Sequence, residues 1–325
     1  MKKTTGPGFN PNEVIFCPTS ACNLNCRHCF VNRNGNRLKT EDAEKFLESL
    51  SESGIIFKVG FSGGEPFLCQ DFLCSVIRKA VSLDMIFGNL MTNGVWWKTE
   101  EELKTALKRI RDAGFDGKIG LSWDAFHGQS PLRIASFIKT VHEVFEDKSA
   151  VSIWSVVDSE NLKQDMINCS DRIDLLCSQL DGWWSGKANR HNGNGRYEIE
   201  GDDGLSVPVY RFSQSFLPEE IPVWKDRKWF TDDFCQSTGQ VFYVHSNGNV
   251  APCCGFANEL EELCIGKITD SYGTLMKNSE SNQMVQLCYV SGLGSYCSRH
   301  KKDGSFTGKT SDMCMFCAYA CKHLN

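Results

Sequence analysis

The sequence predicts an α/β fold, a partial (β/α)6 TIM-like barrel followed by a small cysteine-rich domain. Three observations carry that expectation. Apolar runs of strand length alternate with amphipathic runs of helix length through the first half of the chain. The most unusual short motifs each follow a predicted strand, where barrels of this kind place their sites. The 17 cysteines are unevenly spread, four before residue 30 and nine from Cys235 onward.

The elements follow in order. Glu13-Val14-Ile15-Phe16 is the first strand. Thr40 is placed to cap a helix whose acidic first turn suits the positive helix start, whose apolar face is Phe46, Leu47 and Leu50, and which stops near Gly54. A buried strand runs from Ile55 to Phe61, then a helix from Asp71 to Leu83. Met85 to Met91 is the third strand, closed by the turn Thr92-Asn93-Gly94, and Thr99 to Ala113 the next helix. Strand Lys118–Trp123, helix Pro131–Phe145, strand Val151–Val157 and helix Leu162–Leu180 continue the series, and a sixth strand is expected near Asp181–Ser185. Six units are two short of a closed eightfold barrel.

Periodicity is lost across residues 187–234. There Asn189, Asn192, Gly193, Asn194, Gly195, Gly201 and Gly204 mark loops, and Pro208, Pro218 and Pro222 break regularity. The chain therefore divides into a barrel core (1–186), a bridging segment (187–234) and a C-terminal domain (235–325). In the last, Gln240 to Pro252 reads as a hairpin turning at Asn247-Gly248.

Composition narrows the function classes. With 40 acidic against 35 basic residues, the chain has no electrostatic footprint for nucleic acid or an anionic membrane. No run is long and apolar enough to span a bilayer, and the polar start, Met1-Lys2-Lys3-Thr4-Thr5, lacks a signal-peptide core, so a cytoplasmic location is expected. In a reducing compartment, clustered cysteines read as metal binding or catalysis rather than disulfides. Two separate metal centres are the simplest account.

The first centre is Cys22-Asn23-Leu24-Asn25-Cys26-Arg27-His28-Cys29, a C-x3-C-x2-C array in a loop after the first strand. A loop can wrap three thiolates around one metal, and iron–sulfur clusters use such ligation. Three ligands leave one iron of a [4Fe–4S] cluster open. A zinc knuckle recruiting His28, or unrelated core cysteines, are the alternatives.

The array resembles the signature of the radical S-adenosylmethionine (radical SAM) enzymes. Other segments match that family in order: Gly63-Gly64-Glu65 resembles its GGE motif, Met91-Thr92-Asn93-Gly94 its carboxylate and ribose contact, Ser122-Trp123-Asp124 its S-x-D ribose contact, and Gly186-Lys187-Ala188 a segment after its sixth strand. The resemblance implies that Cys22, Cys26 and Cys29 hold a [4Fe–4S] cluster. It implies that Gly63, Gly64, Glu65, Asn93, Ser122 and Asp124 bind S-adenosyl-L-methionine (SAM), with the exposed backbone and carboxylate of the glycine motif facing the SAM ammonium. A reductant such as flavodoxin or ferredoxin then drives SAM cleavage to methionine and a 5′-deoxyadenosyl radical, which abstracts a hydrogen atom.

The C-terminal cysteines resemble the twitch and SPASM domains of the same family. Cys235, Gly248 and Cys253 fit their opening, and Cys314-Met315-Phe316-Cys317 supplies a second pair. The resemblance implies one auxiliary [4Fe–4S] cluster on Cys235, Cys253, Cys314 and Cys317, with Cys288, Cys297 and Cys321 as further candidates and a zinc ribbon as the structural alternative. Cys254 is left spare beside Cys253. The stretches Phe61–Phe72, Asn93–Trp96, Ser122–His127 and Asn247–Cys254 resemble radical SAM peptide epimerases, which act on ribosomally made peptides. That resemblance makes Cys254 the hydrogen donor for inverting an L-residue. The chain departs from the pattern at Gln240, where an acidic residue is expected.

His127 and His245 are expected to be structural, Trp96-Trp97 and Trp183-Trp184 to pack or to rim a peptide site. Two other readings stay open: a radical SAM dehydrogenase or epimerase of a small molecule such as a sugar or aminocyclitol, and a non-catalytic zinc scaffold. The short stretch ahead of the array leaves no room for the peptide-recognition domain of some peptide-modifying relatives, which leans toward the small molecule.

Overall fold

The computed structural model describes residues 6–188, 193–216, 219, 224–230, 234, 235, 239–300 and 308–323. Asn189, Asn192, Pro218, Pro222 and the first five residues, on which some expectations rest, lie outside the described residues.

Strands β1 (Glu13–Phe16), β2 (Lys58–Phe61), β3 (Ile86–Thr92), β4 (Lys118–Ser122) and β5 (Val151–Val157) run parallel in sequence order. They alternate with α1 (Thr40–Ser51), α2 (Gln70–Ser82), α3 (Glu100–Asp112), α4 (Pro131–Phe145) and α5 (Leu162–Gln179). This is the repeated βαβ unit the periodicity predicts. In α1 the buried residues are Ala43, Phe46, Leu47 and Leu50, one helical stripe. Thr40 does not cap it: Lys39 holds the N-cap position and Thr40 is the first helical residue. Thr99 does cap α3, accepting from Glu102 N at 3.2 Å, while the Glu102 carboxylate accepts from Lys98 N. β2 is shorter than the apolar run, since Ile55 and Phe57 are exposed ahead of it.

The sixth parallel strand is not where the sequence places it. The segment expected to supply it forms β6 (Trp183–Ala188), an antiparallel hairpin with β7 (Gly195–Glu200) at the edge of the sheet. The strand beside β5 is β8 (Ser206–Ser213), inside the stretch expected to be an irregular bridge. Burial explains the exchange. β8 turns Val207, Val209 and Arg211 inward on alternate residues, whereas β6 is mostly exposed. Pro208 is tolerated in β8, although its glycine and proline neighbours read as breakers.

On the other side of β1 lies β9 (Gly239–Val244), also parallel, followed by its antiparallel partner β10 (Asn249–Cys253) and by β11 (Gly266–Lys267). The expected hairpin is present, with Gly248 at φ 82° in its turn. The order is thus β11-β10-β9-β1-β2-β3-β4-β5-β8-β7-β6, a single sheet. Helices α6 (Tyr272–Ser281), α7 (Gln283–Gln286), α8 (Leu293–His300) and α9 (Met313–His323) complete the C-terminal part.

The sheet has two unlike faces. Val14, Phe16, Phe242, Val244 and Val250 join the large core under the helices. Ile15, Val241, Tyr243 and Ala251 face the other way, in a small separate cluster with Cys17 and Cys254. The period of two along each strand divides them.

Candidate functional site

The carboxyl ends of β1 to β4 converge on the cysteine loop. Its first anchor is the glycine motif after β2. Gly64 N donates to Thr19 O and Glu65 N to Ala21 O, both at 2.9 Å, so the end of β2 is laced to the residues that lead into Cys22. The two glycines permit that approach. A Cβ on Gly63, which sits at φ 116°, would meet Cys17 Sγ at 2.2 Å, and one on Gly64 would meet Ala21 O at 2.1 Å.

Glu65 corrects an expectation. Its carboxylate is not exposed at the turn but fully buried, accepting from Phe67 N (3.1 Å), Thr92 Oγ1 (2.8 Å) and Asn93 N (2.8 Å). Burial pushes its pKa up to about 7, against those three donors. Its position ties β2 to the end of β3. There Asn93 Nδ2 donates to Asn23 Oδ1 at 2.8 Å and lies 3.6 Å from Cys22 Sγ, and Gln129 Nε2 bridges Asn93 O and Ser122 O, each at 2.8 Å. Asn93, Ser122 and the cysteine loop are therefore one connected unit. Trp96 and Trp97 pack beneath it, Trp96 stacked on Phe67 at 4.5 Å.

Cys22, Cys26 and Cys29 are half-buried on this loop. Leu24 N points at Cys22 Sγ from 3.4 Å. Arg33 lies beside Cys29 and donates to the carbonyl of Leu24 and, at 2.9 Å, to Asn25 Oδ1. The donor set is three soft thiols with positive groups and amides around them, which suits an iron–sulfur cluster open on one side.

Asp124 follows β4 and is buried. Its Oδ1 accepts from Phe126 N at 2.9 Å, His127 N at 3.0 Å and His127 Nδ1 at 2.8 Å, and its Oδ2 from Val156 N at 3.2 Å. His127, expected to be structural or solvent-facing, lies beside the Cys26 thiol. Burial alone would lower the His127 pKa, but Asp124 and Cys26 beside it outweigh that and raise it to about 10. His28 is the opposite case: burial lowers it to about 4 and leaves it neutral. Sequence reasoning missed His127 and Arg33. Asp124 three residues before His127 is a local hydrogen-bonding signal that could have found the first. Nothing in the sequence marks Arg33.

A second group of thiols lies in the C-terminal part. Cys235, Cys253, Cys314 and Cys317, the four cysteines singled out by the resemblance, line one cavity, and Cys288 lines it too. The remaining wall includes Leu263, Tyr289 and Leu293. Cys235 N donates to Cys288 O at 3.1 Å, and Cys288 Sγ is 3.7 Å from Cys317 Sγ. Cys314, Cys317 and Cys321 fall three and four residues apart on α9, on one helical face. Burial, then the neighbouring Cys314 and Cys235, push the Cys253 thiol far above its ordinary range. Cys253, Cys288 and Cys317 are each raised above the ordinary thiol range, a penalty that bound metal removes, so five soft donors around one apolar cavity fit a thiolate-held metal centre.

Cys254 does not join them. The β9–β10 register shifts between Ala251 and Cys253, and this bulge sends Cys253 into the thiol cavity while Cys254 packs with Ala251, Tyr243 and Cys17. Cys17 and Tyr243 in turn touch the end of β2 through Gly63 and Ser62. His245 stays structural, its Nε2 3.0 Å from Asn258 O. Gln240, at the departure from the epimerase pattern, is bonded to Asn10 N and Gly8 O. Gly186-Lys187-Ala188 lies on the edge strand β6.

A barrel with a three-cysteine loop at its carboxyl end, braced by a Gly-Gly-Glu turn, defines the class. Residues 16–146 match the Radical SAM superfamily and form a radical SAM domain. That family implies SAM and a [4Fe–4S] cluster. The chain is 25% identical over 280 residues to the sporulation killing factor maturation protein SkfB of Bacillus subtilis, covering 81% of this chain and 63% of that one. It is 28% identical over 205 residues to the PqqA peptide cyclase of Bradyrhizobium diazoefficiens (56% and 50%), and 28% over 165 residues to the nucleotide dehydratase RSAD2 of Oncorhynchus mykiss (48% and 47%). The chain thus spans between about half and somewhat under two thirds of these relatives. Among solved structures it resembles anSMEcpe with bound AdoMet and Cp18Cys peptide, at TM-score 0.48 and 16% identity over 97% of this chain and 98% of that one. BtrN in complex with AdoMet and 2-DOIA gives TM-score 0.47 at 13% identity over 93% and 96%. Among the described residues no helix is long and apolar enough to cross a membrane.

Proposed function

We propose that the protein is a radical SAM enzyme that modifies a ribosomally made peptide, and that it inverts L-residues with Cys254 as hydrogen donor. The peptide substrate is supported by two relatives, one named for maturation of a killing factor and one as a peptide cyclase. Cys22, Cys26 and Cys29 would hold the SAM-binding cluster, and Gly63, Gly64, Asn93, Ser122 and Asp124 would make the border against which SAM binds. Glu65 positions this border from beneath. Cys235, Cys253, Cys314 and Cys317 would hold an auxiliary [4Fe–4S] cluster in the C-terminal domain, 235–325, with Cys288 at the same cavity.

Bound there, the cluster and SAM supply the 5′-deoxyadenosyl radical that takes a hydrogen atom from the peptide. The chain's own contribution to inversion is a hydrogen atom delivered from the opposite face. The observation that carries this is the placement of Cys254: half-buried, on the inner side of the sheet beside Cys17 and Tyr243, and not among the residues lining the C-terminal thiol cavity. Burial, then the charges of Glu13 and Cys235, push its pKa up to about 11, so the thiol keeps its hydrogen at neutral pH. After the S–H bond breaks and the Cα–H bond forms, the sulfur needs one electron and one proton to recover. A small one-electron donor protein such as flavodoxin or ferredoxin would provide the electron.

The test is anaerobic turnover in D2O with peptides encoded beside the gene, read by mass spectrometry. A gain of one mass unit per modified residue, lost in Cys254→Ala, is the expected result. A loss of two units would indicate oxidation or cross-linking and sink the inversion. Formation of 5′-deoxyadenosine with every peptide unchanged would favour a small-molecule substrate. Iron analysis separates the zinc scaffold, since two [4Fe–4S] clusters need about eight irons per chain.

A further inference from the structure

The inner face of the sheet carries an aromatic wall on β5 and β8. In β5, Val151 and Ile153 join the core under the helices, and in β8 Val207 and Val209 do. The period of two therefore turns Trp154 and Val156, and Tyr210 and Phe212, to the inner face, the side on which Cys254 lies. The Trp154 ring is 5.3 Å from Tyr210 and 5.3 Å from Phe212, stacked on the second with 19° between the planes. Gly120 leaves room beside it: a Cβ there would meet Met91 Sδ at 2.3 Å and come within 3.6 Å of Trp154 Nε1.

The strand register ties this wall to the site. Ser122, Trp154, Tyr210 and Arg196 stand opposite one another in one row across β4, β5, β8 and β7. With strands about 4.8 Å apart, Trp154 is one strand from Ser122 and Tyr210 two strands, about 10 Å. Phe212 stands opposite Val156, whose N donates to Asp124. Trp154 and Tyr210 are only half-buried, and Phe212 is 43% exposed. Ile55, Phe57 and Ile86 are exposed as well, but ahead of β2 or at the start of β3, the end away from the cysteine loop. The polar groups around the rings are already engaged. Trp154 Nε1 donates to Ser152 Oγ at 2.9 Å, and Arg196, 5.3 Å from the centre of the Tyr210 ring, is paired with Glu198 at 3.3 Å.

We propose that Trp154, Tyr210 and Phe212 are specificity-determining residues, which receive a large apolar side chain of the peptide close in sequence to the residue that loses its hydrogen. This rests on the reading of the protein as a peptide-modifying enzyme that binds SAM against Ser122 and Asp124. An extended chain covers about 10 Å in three residues, so the side chain selected by the wall belongs within about three positions of the modified residue. Covering Phe212 and the open faces of Trp154 and Tyr210 removes apolar surface from water, and an aromatic guest adds ring–ring contact. A polar guest would give up its hydration against hydrocarbon.

The experiment uses the full-length reconstituted enzyme and the peptides encoded beside the gene. Mass spectrometry locates the modified residue, and each large apolar residue within about three positions of it is replaced by serine in turn. With the wild type, one such replacement should lower kcat/KM by about tenfold, the loss expected for one buried apolar side chain. Phe212→Ser removes a ring that lies at the surface. It should raise KM for the parent peptide by about tenfold with kcat nearly unchanged. On that variant the same serine peptide should lose little more, because the two changes remove one contact. Trp154→Leu should move both readings the same way, and Phe212→Leu, which stays apolar, should recover most of the loss. Wild-type KM and wild-type peptide preference in both Phe212→Ser and Trp154→Leu would overturn the proposal. A uniform loss across all peptides would also overturn it, making the rings structural. A wild-type enzyme with full iron that modifies none of the peptides would refute the peptide reading, and this inference with it.

Discussion

Gly64→Ala is the sharpest test of how the barrel builds its cysteine loop. Gly64 does not hold a left-handed backbone, so alanine costs nothing there in conformation. The whole effect is steric. The new Cβ would sit 2.1 Å from Ala21 O, 2.8 Å from Ala21 C and 2.9 Å from Ser20 C, all backbone atoms that cannot swing aside. Ordinary contact begins at 3.4 Å, so the two segments must part by about 1.3 Å. That separation breaks the hydrogen bonds from Gly64 N to Thr19 O and Glu65 N to Ala21 O, now 2.9 Å each. Overpacking costs about 1–3 kcal/mol and each lost hydrogen bond about 0.5–1.5 kcal/mol, giving a loss of roughly 2–6 kcal/mol. Because Ala21 precedes Cys22, the first cysteine moves with it, and a displacement of about 1 Å can cost on the order of 100-fold in rate. Urea unfolding would measure the first effect, iron per chain and 5′-deoxyadenosine formation the second. A Gly64→Ala protein with wild-type stability, iron and SAM cleavage would refute the idea that the Gly-Gly-Glu turn braces the loop.

Glu65 has a folded pKa of about 7, raised by burial, against about 4.3 for an unfolded glutamate. The folded state therefore holds the extra proton. Its contribution is full below about pH 4.3 and lost as pH rises through 7, on the order of 3 kcal/mol, and Glu65→Gln should flatten that part of a stability-versus-pH curve measured in urea. Arg211 and Asp165 form a buried ion pair, so Arg211→Met should cost about 3–5 kcal/mol by leaving a lone buried carboxylate, and adding Asp165→Leu should recover most of it in the same melts. Cys288→Ala should keep the auxiliary iron if Cys235, Cys253, Cys314 and Cys317 are its four ligands, whereas Cys317→Ala should lose about four irons per chain. Equal iron loss from both would put Cys288 among the ligands.

Where a signal was local, the sequence carried it well. The five units from β1 to α5 follow from periodicity, and the positions of Gly63, Asn93 and Asp124 after their strands follow from element order alone. What failed was pairing over a distance. β6 has the right spacing for a sixth strand, yet its exposed residues gain little by burial beside β5. β8 gains more, through Val207, Val209 and the Arg211–Asp165 pair, although its glycine and proline neighbours signal a loop. Local breakers lost to tertiary burial there. The same limit explains Glu65. A carboxylate after two glycines reads as exposed, and only the fold shows three donors converging on it from two strand ends. It also explains Cys288, whose relation to Cys317 depends on α9 packing back across the cavity.

The pair Cys253 and Cys254 shows how one backbone irregularity can set chemistry. In an undisturbed β10, Ala251 and Cys253 would share a face, because side chains alternate with a period of two. Ala251 faces the inner cluster, so Cys253 would follow it there and Cys254 would turn toward the thiol cavity. The register shift after Ala251 reverses this parity. Cys253 reaches the other thiols, and Cys254 is left on the inner side with Cys17 and Tyr243. Substituting either cysteine alone should separate iron content from hydrogen delivery: Cys253→Ala would lower the first, Cys254→Ala only the second. Two adjacent, chemically identical side chains thus face opposite sides of the sheet because of a bulge, and it is the bulge rather than the Cys-Cys sequence that distinguishes them.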